Sequence, residues 1–412
     1  MPDFSLDQTE LETTRNVAAK RAAEGAGPHL AEELRSGREI EDESLAALYL
    51  ADDVATNDLL KLATDLRASG APQIETFSPL YITNHCDAEC VMCGMRRANQ
   101  DLERSTADRG TVEEQLDILH RRGLRGVAIL TGEYRHGRLR REMLARTSEA
   151  TRAALDRGFA HVLINVGSIE EDEYDDLLAG IPRSDDGNLS PHITMCTFQE
   201  AYEPGVYGKF MGTTPENPRS DYARRLANFD RAADAGMRSA NPGLLLGLNG
   251  DVAFEMLALL AHVRHLQARG LQIYISLPRL RKASGAEHRA GVTDDQLARI
   301  VAILSAGVPE AKVVISTREH PDIQHRLLPV IGVLTAGSPG VAPYSATDSA
   351  FKIEASQFEV ADQRPFEVIL GECLEAGAVI DGYKPSGVYA DQANPRALSS
   401  PPSSAPSSTP AS

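Results

Sequence analysis

Three cysteines, Cys86, Cys90 and Cys93, stand in the run HCDAECVMC at C-x3-C-x2-C spacing. Three thiolates on one short loop can hold three corners of a cubane 4Fe–4S cluster and leave its fourth iron without a protein ligand. An open iron can take a substrate or cofactor, so the pattern reads as a reactive cluster rather than a sealed electron carrier. A structural zinc site is the competing reading, but its tetrahedral shell wants a fourth Cys or His. His85, adjacent to the first cysteine, would be strained in that role. The two remaining cysteines, Cys196 and Cys373, have no partner at ligand spacing and read as buried structural thiols.

The cysteine loop follows an apolar run over residues 77–82 that reads as a buried strand. From there to the C-terminal region, short apolar runs alternate with amphipathic stretches. Strands are expected near 80–83, 127–131, 161–166, 192–197, 243–248, 273–277, 312–316 and 330–335. Helices are expected between them. Thr111 and Glu114 have capping-box spacing and Gly123 closes the same helix. Eight βα units predict a (βα)8 TIM-type barrel, with a partial barrel of fewer strands as the alternative. The division is then a helical extension over 1–75, the barrel with C-terminal helical elements over 76–385, and a disordered Ser/Pro-rich tail over 386–412. In the extension, Leu45, Leu48 and Tyr49, then Leu59, Leu60, Leu62 and Leu66, recur at helical spacing.

In such a barrel the carboxyl ends of the strands carry the site. The second strand is followed by Thr131-Gly132-Glu133, the third by Asn165 and Ser168, and the fourth by Thr197 to Tyr202. The sixth ends at Pro278-Arg279, the seventh at Thr317-Arg318-Glu319, and the eighth at Thr335 to Ser338. Any one of these strings could be a polar loop serving caps and turns; their joint placement points to one site.

Bulk composition narrows the partners. Forty-two basic against 59 acidic side chains give a net charge of −17, which argues against nucleic acid or an anionic membrane as partner. No apolar run reaches the roughly 18 residues a membrane span needs. The acidic N-terminus lacks the layout of a signal peptide, and five cysteines without paired spacing fit a reducing, cytoplasmic setting.

The cysteine loop, with Gly132-Glu133 after the second strand, resembles the radical S-adenosylmethionine (SAM) superfamily. The residue before the third cysteine is usually aromatic there, and here it is Met92, an adaptable apolar substitute. The strings FSPLYITNHC, TFQEAY, RSDYARRL, ISLPRL, ISTRE, TAGS and FEVADQRPF, in that order over residues 77–385, are similar to the aromatic amino acid lyases of that superfamily. The resemblance implies a 4Fe–4S cluster on Cys86, Cys90 and Cys93, and SAM cleaved to a 5′-deoxyadenosyl radical. It also implies hydrogen abstraction from the amino group of a bound aromatic amino acid, then scission at Cα. It places Glu133, with Gly132, at the SAM amino group and Arg225 at the SAM carboxylate, with Ser168 beside them; Arg224 takes Arg225's place if the helix is phased differently. Tyr81 falls beside the substrate amine. Arg318 clamps the substrate carboxylate, helped by Thr335 or Ser338. Arg279 is either near the site or a brace of the barrel rim.

The resemblance also sorts branches. The segment ECLEAGAVIDGYKPSGVYADQ holds only Cys373, which leaves no ligands for the second cluster of the hydrogenase-cofactor tyrosine lyases. QEAY, GEYRHG and the N-terminal extension resemble the nosiheptide-type branch, which turns L-tryptophan into 3-methyl-2-indolic acid for thiopeptide antibiotics. The alternative substrate is L-tyrosine, giving p-cresol and dehydroglycine as in thiamine thiazole assembly. Either lyase implies an electron donor such as flavodoxin or ferredoxin. The reading from another class is a non-catalytic iron–sulfur or zinc protein.

Overall fold

Runs such as Gly-Val-Ala-Ile-Leu, Ile-Thr-Met-Cys and Lys-Val-Val-Ile-Ser are too short and too β-branched for helices, and nearly every position in them is buried. That is the pattern of parallel strands covered on both faces. In the computed structural model, which describes residues 2–38, 40–67, 70–286 and 291–385, ten strands form one parallel sheet. They are β1 (Gln73–Glu75), β2 (Ser78–Tyr81), β3 (Gly126–Leu130), β4 (His161–Asn165), β5 (Ile193–Cys196), β6 (Ser239–Asn241), β7 (Gln272–Ser276), β8 (Lys312–Ser316), β9 (Val333–Thr335) and β10 (Val379–Asp381). The expected tail at 386–412 lies outside the described residues.

The sheet order is β10-β1-β9-β8-β7-β6-β5-β4-β3-β2. Only Thr76 and Phe77 separate β1 from β2, so the two behave as halves of one bent strand. One half pairs with β9 and the other with β3, which curls the sheet into a (βα)8 barrel. Side chains stitch the seam: Thr76 Oγ1 donates to Leu334 O at 2.8 Å and Ser78 Oγ to Ala336 O at 2.5 Å. β10 pairs with β1, and the Arg125 amide donates to Gly382 O at 2.7 Å.

Two departures from the sequence reading have physical causes. The strand expected at 243–248 lies earlier in the chain, as β6 at Ser239–Asn241. Pro242 ends the ladder by lacking an amide donor, and the Leu-rich run after it makes only isolated bridges, Gly243 to Ser276, Leu244 to Glu200 and Leu246 to Arg279. Its leucines are buried above the sheet, where Leu245 lines the cavity described below. The three-residue β1 and β10 were not anticipated, because so short an edge has no readable period.

Four helices precede the barrel: α1 (Gln8–Ala23), α2 (Gly27–Arg35), α3 (Asp42–Leu50) and α4 (Thr56–Leu66). They pack on the outer barrel helices Val252–Ala268 and Asp294–Gly307. Arg299 fixes this arrangement by donating to the carbonyls of Leu48, Tyr49 and Ala51, at the end of α3 where intrahelical partners run out, and of Val54 in the connection to α4. Before α1, Phe4 stacks on His262 with centroids 4.3 Å apart, and its amide donates to Asp230 at 2.8 Å. Among the described residues no helix is long and apolar enough to cross a membrane.

Candidate active site

The strand ends open on a cavity of 230 Å³ lined by Cys86, Cys90, Cys93, Tyr81, Glu133 and Arg318, among others. Inward residues from successive strands build its depth. Phe77, Ala128, Leu163, Cys196 and Val314 form an apolar floor, and Asn165, Ser276, Ser316 and Thr335 form a polar ring.

The loop after β2 carries the three cysteines, all free thiols. Backbone amides aim at the first sulfur: Ala88 N at 3.4 Å and Glu133 N at 3.3 Å from Cys86 Sγ. Burial, then the neighbouring cysteines, push the Cys86 thiol up to about 12. Burial raises Cys90 to about 12 and also raises Cys93. Three such thiols would give up their protons together only to a strongly positive group, which an iron cluster would be. Among the described residues, no three His, Cys, Asp or Glu side chains lie close enough to share one metal ion. His85 is exposed, so the loop offers zinc no fourth corner. The donor set fits a polynuclear cluster better than a single zinc. Met92 is buried and lines the cavity.

Gly132 touches the back of this loop. A Cβ there would stand 2.8 Å from Cys86 Cα and closer still to the His85 carbonyl oxygen, both backbone atoms that cannot step aside. Gly132→Ala is therefore expected to displace the cysteine loop at a cost of about 1 to 3 kcal/mol. Iron content after reconstitution and the thermal midpoint of the apoprotein both report it, and wild-type values for both would refute the close approach.

Glu133 is buried with its Oε1 accepting from the Ser168 amide at 3.0 Å and its Oε2 2.7 Å from Arg225 Nη1. Burial alone would raise its pKa, but the Arg225 and Arg219 guanidiniums outweigh burial and hold the carboxylate below its usual range. Ser168 sits behind the cavity and supports Glu133 through its backbone. Arg225 faces inward and Arg224 outward onto Glu170, which settles the helix phase. The donors of Arg225 are committed, however: Nε and Nη2 to Phe198 O at 3.0 and 2.9 Å, and Nη1 to Glu133.

A neighbouring guanidinium is less committed. Arg219 lines the cavity, pairs with Glu200 at 3.1 Å, and keeps its Nε buried without a hydrogen-bond partner, 3.7 Å from Glu133. Glu200 holds a φ of 70°, a left-handed conformation rare outside glycine and found where a site over-determines the backbone. Neither residue was singled out from the sequence, although both stand inside the strings TFQEAY and RSDYARRL.

On the opposite wall, Tyr81 is buried and its hydroxyl donates to Gln357 Oε1 at 2.6 Å. Arg318 stacks on the Phe358 ring at 3.4 Å and donates to Arg279 O at 3.3 Å. Burial lowers its pKa. Its neighbour Glu319 is taken by Arg279 and Arg281. Arg279 thus braces the rim, and Arg318 forms no ion pair among the described residues. Thr335 lines the cavity, whereas Ser338 Oγ turns away to donate to Ala350 O at 2.6 Å. Of the two hydroxyls left open by the sequence, only Thr335 reaches the pocket. Gln357 and Phe358 were not singled out, although Phe358 opens the string FEVADQRPF: their place in the site comes only from the fold.

No protein-family model matches the chain. It is 25% identical over 261 residues to the 2-iminoacetate synthase of Salmonella typhimurium, covering 62% of this chain and 64% of that protein. It is 24% identical over 308 residues to the Escherichia coli 2-iminoacetate synthase, covering 74% and 76%. The chain thus spans a little under two thirds of the first relative's length. Among solved structures, the FeFe-hydrogenase maturase HydG of Carboxydothermus hydrogenoformans superposes with a TM-score of 0.77 at 22% identity, over 92% of this chain and 86% of that one. Methylornithine synthase, PylB, superposes at 0.63 with 15% identity, over 88% and 98%. The protein shares the barrel fold of HydG and PylB, and its sequence is similar to those of 2-iminoacetate synthases.

Proposed function

We propose that this protein is a radical SAM lyase that breaks a bond at Cα of an aromatic L-amino acid. One observation carries the reading: Arg318 lines the same cavity as the three cysteines and pairs with no carboxylate among the described residues. A guanidinium drawn out of water is costly unless an anion joins it, and an amino acid carboxylate matches its planar fork with two hydrogen bonds.

Cys86, Cys90 and Cys93 would hold a 4Fe–4S cluster, which with SAM and an electron from a donor such as flavodoxin or ferredoxin would supply radical chemistry. The chain's own residues do the positioning. Glu133, held ionised, offers a carboxylate to the SAM ammonium. Arg219, through its unpartnered Nε, and Arg225 behind it offer guanidinium to the SAM carboxylate. Arg318 and Thr335 take the substrate carboxylate, which leaves its amino group toward Tyr81. The apolar floor receives the ring and excludes water.

Two ring systems meet these requirements. The similarity to 2-iminoacetate synthases supports L-tyrosine, because losing the side chain as p-cresol leaves dehydroglycine, which is 2-iminoacetate. The strings QEAY and GEYRHG favour the second reading, L-tryptophan rearranged to 3-methyl-2-indolic acid. The discriminating experiment gives the reconstituted, dithionite-reduced enzyme SAM with each amino acid in turn and identifies the organic product. p-Cresol from tyrosine without an indolic acid from tryptophan establishes the first; the reverse establishes the second. If neither amino acid is consumed, the lyase reading fails.

A further inference from the structure

The segment after β9 crosses back over the cavity between the cysteine loop and the Arg318 wall. Its backbone is pinned along its length: Gln357 O accepts from Gly94 N at 3.0 Å, Glu359 N donates to Lys282 O at 2.7 Å, and Asp362 N donates to Thr317 O at 3.0 Å. The approach at Gly94 is tight, since a Cβ there would meet Gln357 O at 2.9 Å. Within this strap, Gln357 lies between two groups on which the proposed chemistry depends. Its Oε1 accepts from the Tyr81 hydroxyl at 2.6 Å and its Nε2 lies 3.6 Å from Cys93 Sγ. The next residue, Phe358, stacks on Arg318.

We propose that Gln357 is a positioning residue that couples the substrate side of the cavity to the cysteine cluster. The inference rests on the lyase reading above and adds a residue that neither the cysteine loop nor the substrate clamp contains. Its two contacts do separate work. A phenol has one proton and two lone pairs. With the proton committed to Gln357, the Tyr81 oxygen is left as an acceptor, the polarity a substrate ammonium needs from a neighbour. On the other side, an amide N–H directed at a ligand sulfur draws charge from it, and hydrogen bonds to the sulfurs are one of the terms that set a cluster's reduction potential. The amide orientation follows from the same chemistry. Rotating it by a half turn would set a carbonyl oxygen against a thiolate, where both are electron-rich and no proton lies between them.

The test uses full-length reconstituted protein, with an EPR-monitored redox titration of the cluster and the ratio of 5′-deoxyadenosine to amino-acid product. Gln357→Leu removes both contacts. Gln357→Glu is nearly isosteric, keeps an acceptor for Tyr81, and replaces the donor facing Cys93 with an oxygen. Both variants are expected to titrate at a more negative potential than wild type. The uncoupling ratio is expected to rise about five-fold in Gln357→Leu, the factor a lost hydrogen bond implies, and to stay within about two-fold of wild type in Gln357→Glu. A purely structural role would not move the potential in the isosteric variant. A wild-type potential in both variants, or a wild-type ratio in Gln357→Leu, overturns the assignment. A wild-type protein that fails to cleave SAM would instead remove the lyase reading on which it rests.

Discussion

Alanine at any one of Cys86, Cys90 or Cys93 is expected to abolish cluster assembly and SAM cleavage, while Cys196→Ala and Cys373→Ala retain both. The three thiols share one loop and one cavity, and two ligands do not hold a cubane that needs three. Cys196 also lines that cavity, but in its floor beside Leu163 and Val314, on a strand rather than the loop. Cys373 is buried on the helix Phe366–Glu375 and does not line the cavity. Iron and sulfide analysis with the iron–sulfur absorption band reads the outcome for each variant. Loss of the cluster on replacing Cys196 or Cys373 would overturn the three-ligand assignment.

The second large effect is at Arg318. Arg318→Ala is expected to cost about 2 to 5 kcal/mol in substrate binding or positioning, the loss seen when a charge-assisted contact leaves its partner alone in a closed site. Arg318→Lys keeps a charge but loses the two-pronged fit and the flat face that stacks on Phe358, so it is not expected to restore product. SAM cleavage uncoupled from product should persist, because Glu133, Arg219 and Arg225 lie on the other wall. The chain contains no tryptophan, so binding of L-tryptophan can be followed by indole fluorescence without background from the protein. Wild-type product yield in Arg318→Ala would refute the clamp.

The barrel was legible because parallel strands buried on both faces are near-continuous apolar runs, and seven of the eight expected runs, such as 127–131 and 312–316, overlap strands of the structure. The run at 243–248 misled because a leucine-rich loop buried above a sheet has the same composition as a strand within it. The cysteine loop was legible because its three cysteines are neighbours in sequence. Arg318 and Thr335 were legible because strand ends converge on one face of a barrel, wherever they lie in the chain. Ser338 and Thr335 could not be told apart, since which hydroxyl turns inward depends on a turn that ties Ser338 to Ala350. Arg219 and Glu200 stood inside the quoted strings with nothing local to set them apart from their neighbours, and Gln357 lay outside every string. Their meaning comes from pairings across 19 residues for Arg219 with Glu200, and across 276 for Gln357 with Tyr81.

The central claim is that a radical made from SAM takes hydrogen from the amino group of an aromatic amino acid held between Arg318 and Tyr81. Amino hydrogens exchange with solvent and carbon-bound ones do not, so the claim has an isotopic signature. Reconstituted, reduced enzyme is incubated with SAM and L-tyrosine or L-tryptophan in heavy water, and the 5′-deoxyadenosine is weighed by mass spectrometry. The account predicts one deuterium acquired from solvent in the substrate-dependent fraction, and none when carbon-deuterated amino acid is used in ordinary water. Deuterium arriving from the carbon positions, or 5′-deoxyadenosine formation indifferent to either aromatic amino acid, would contradict it.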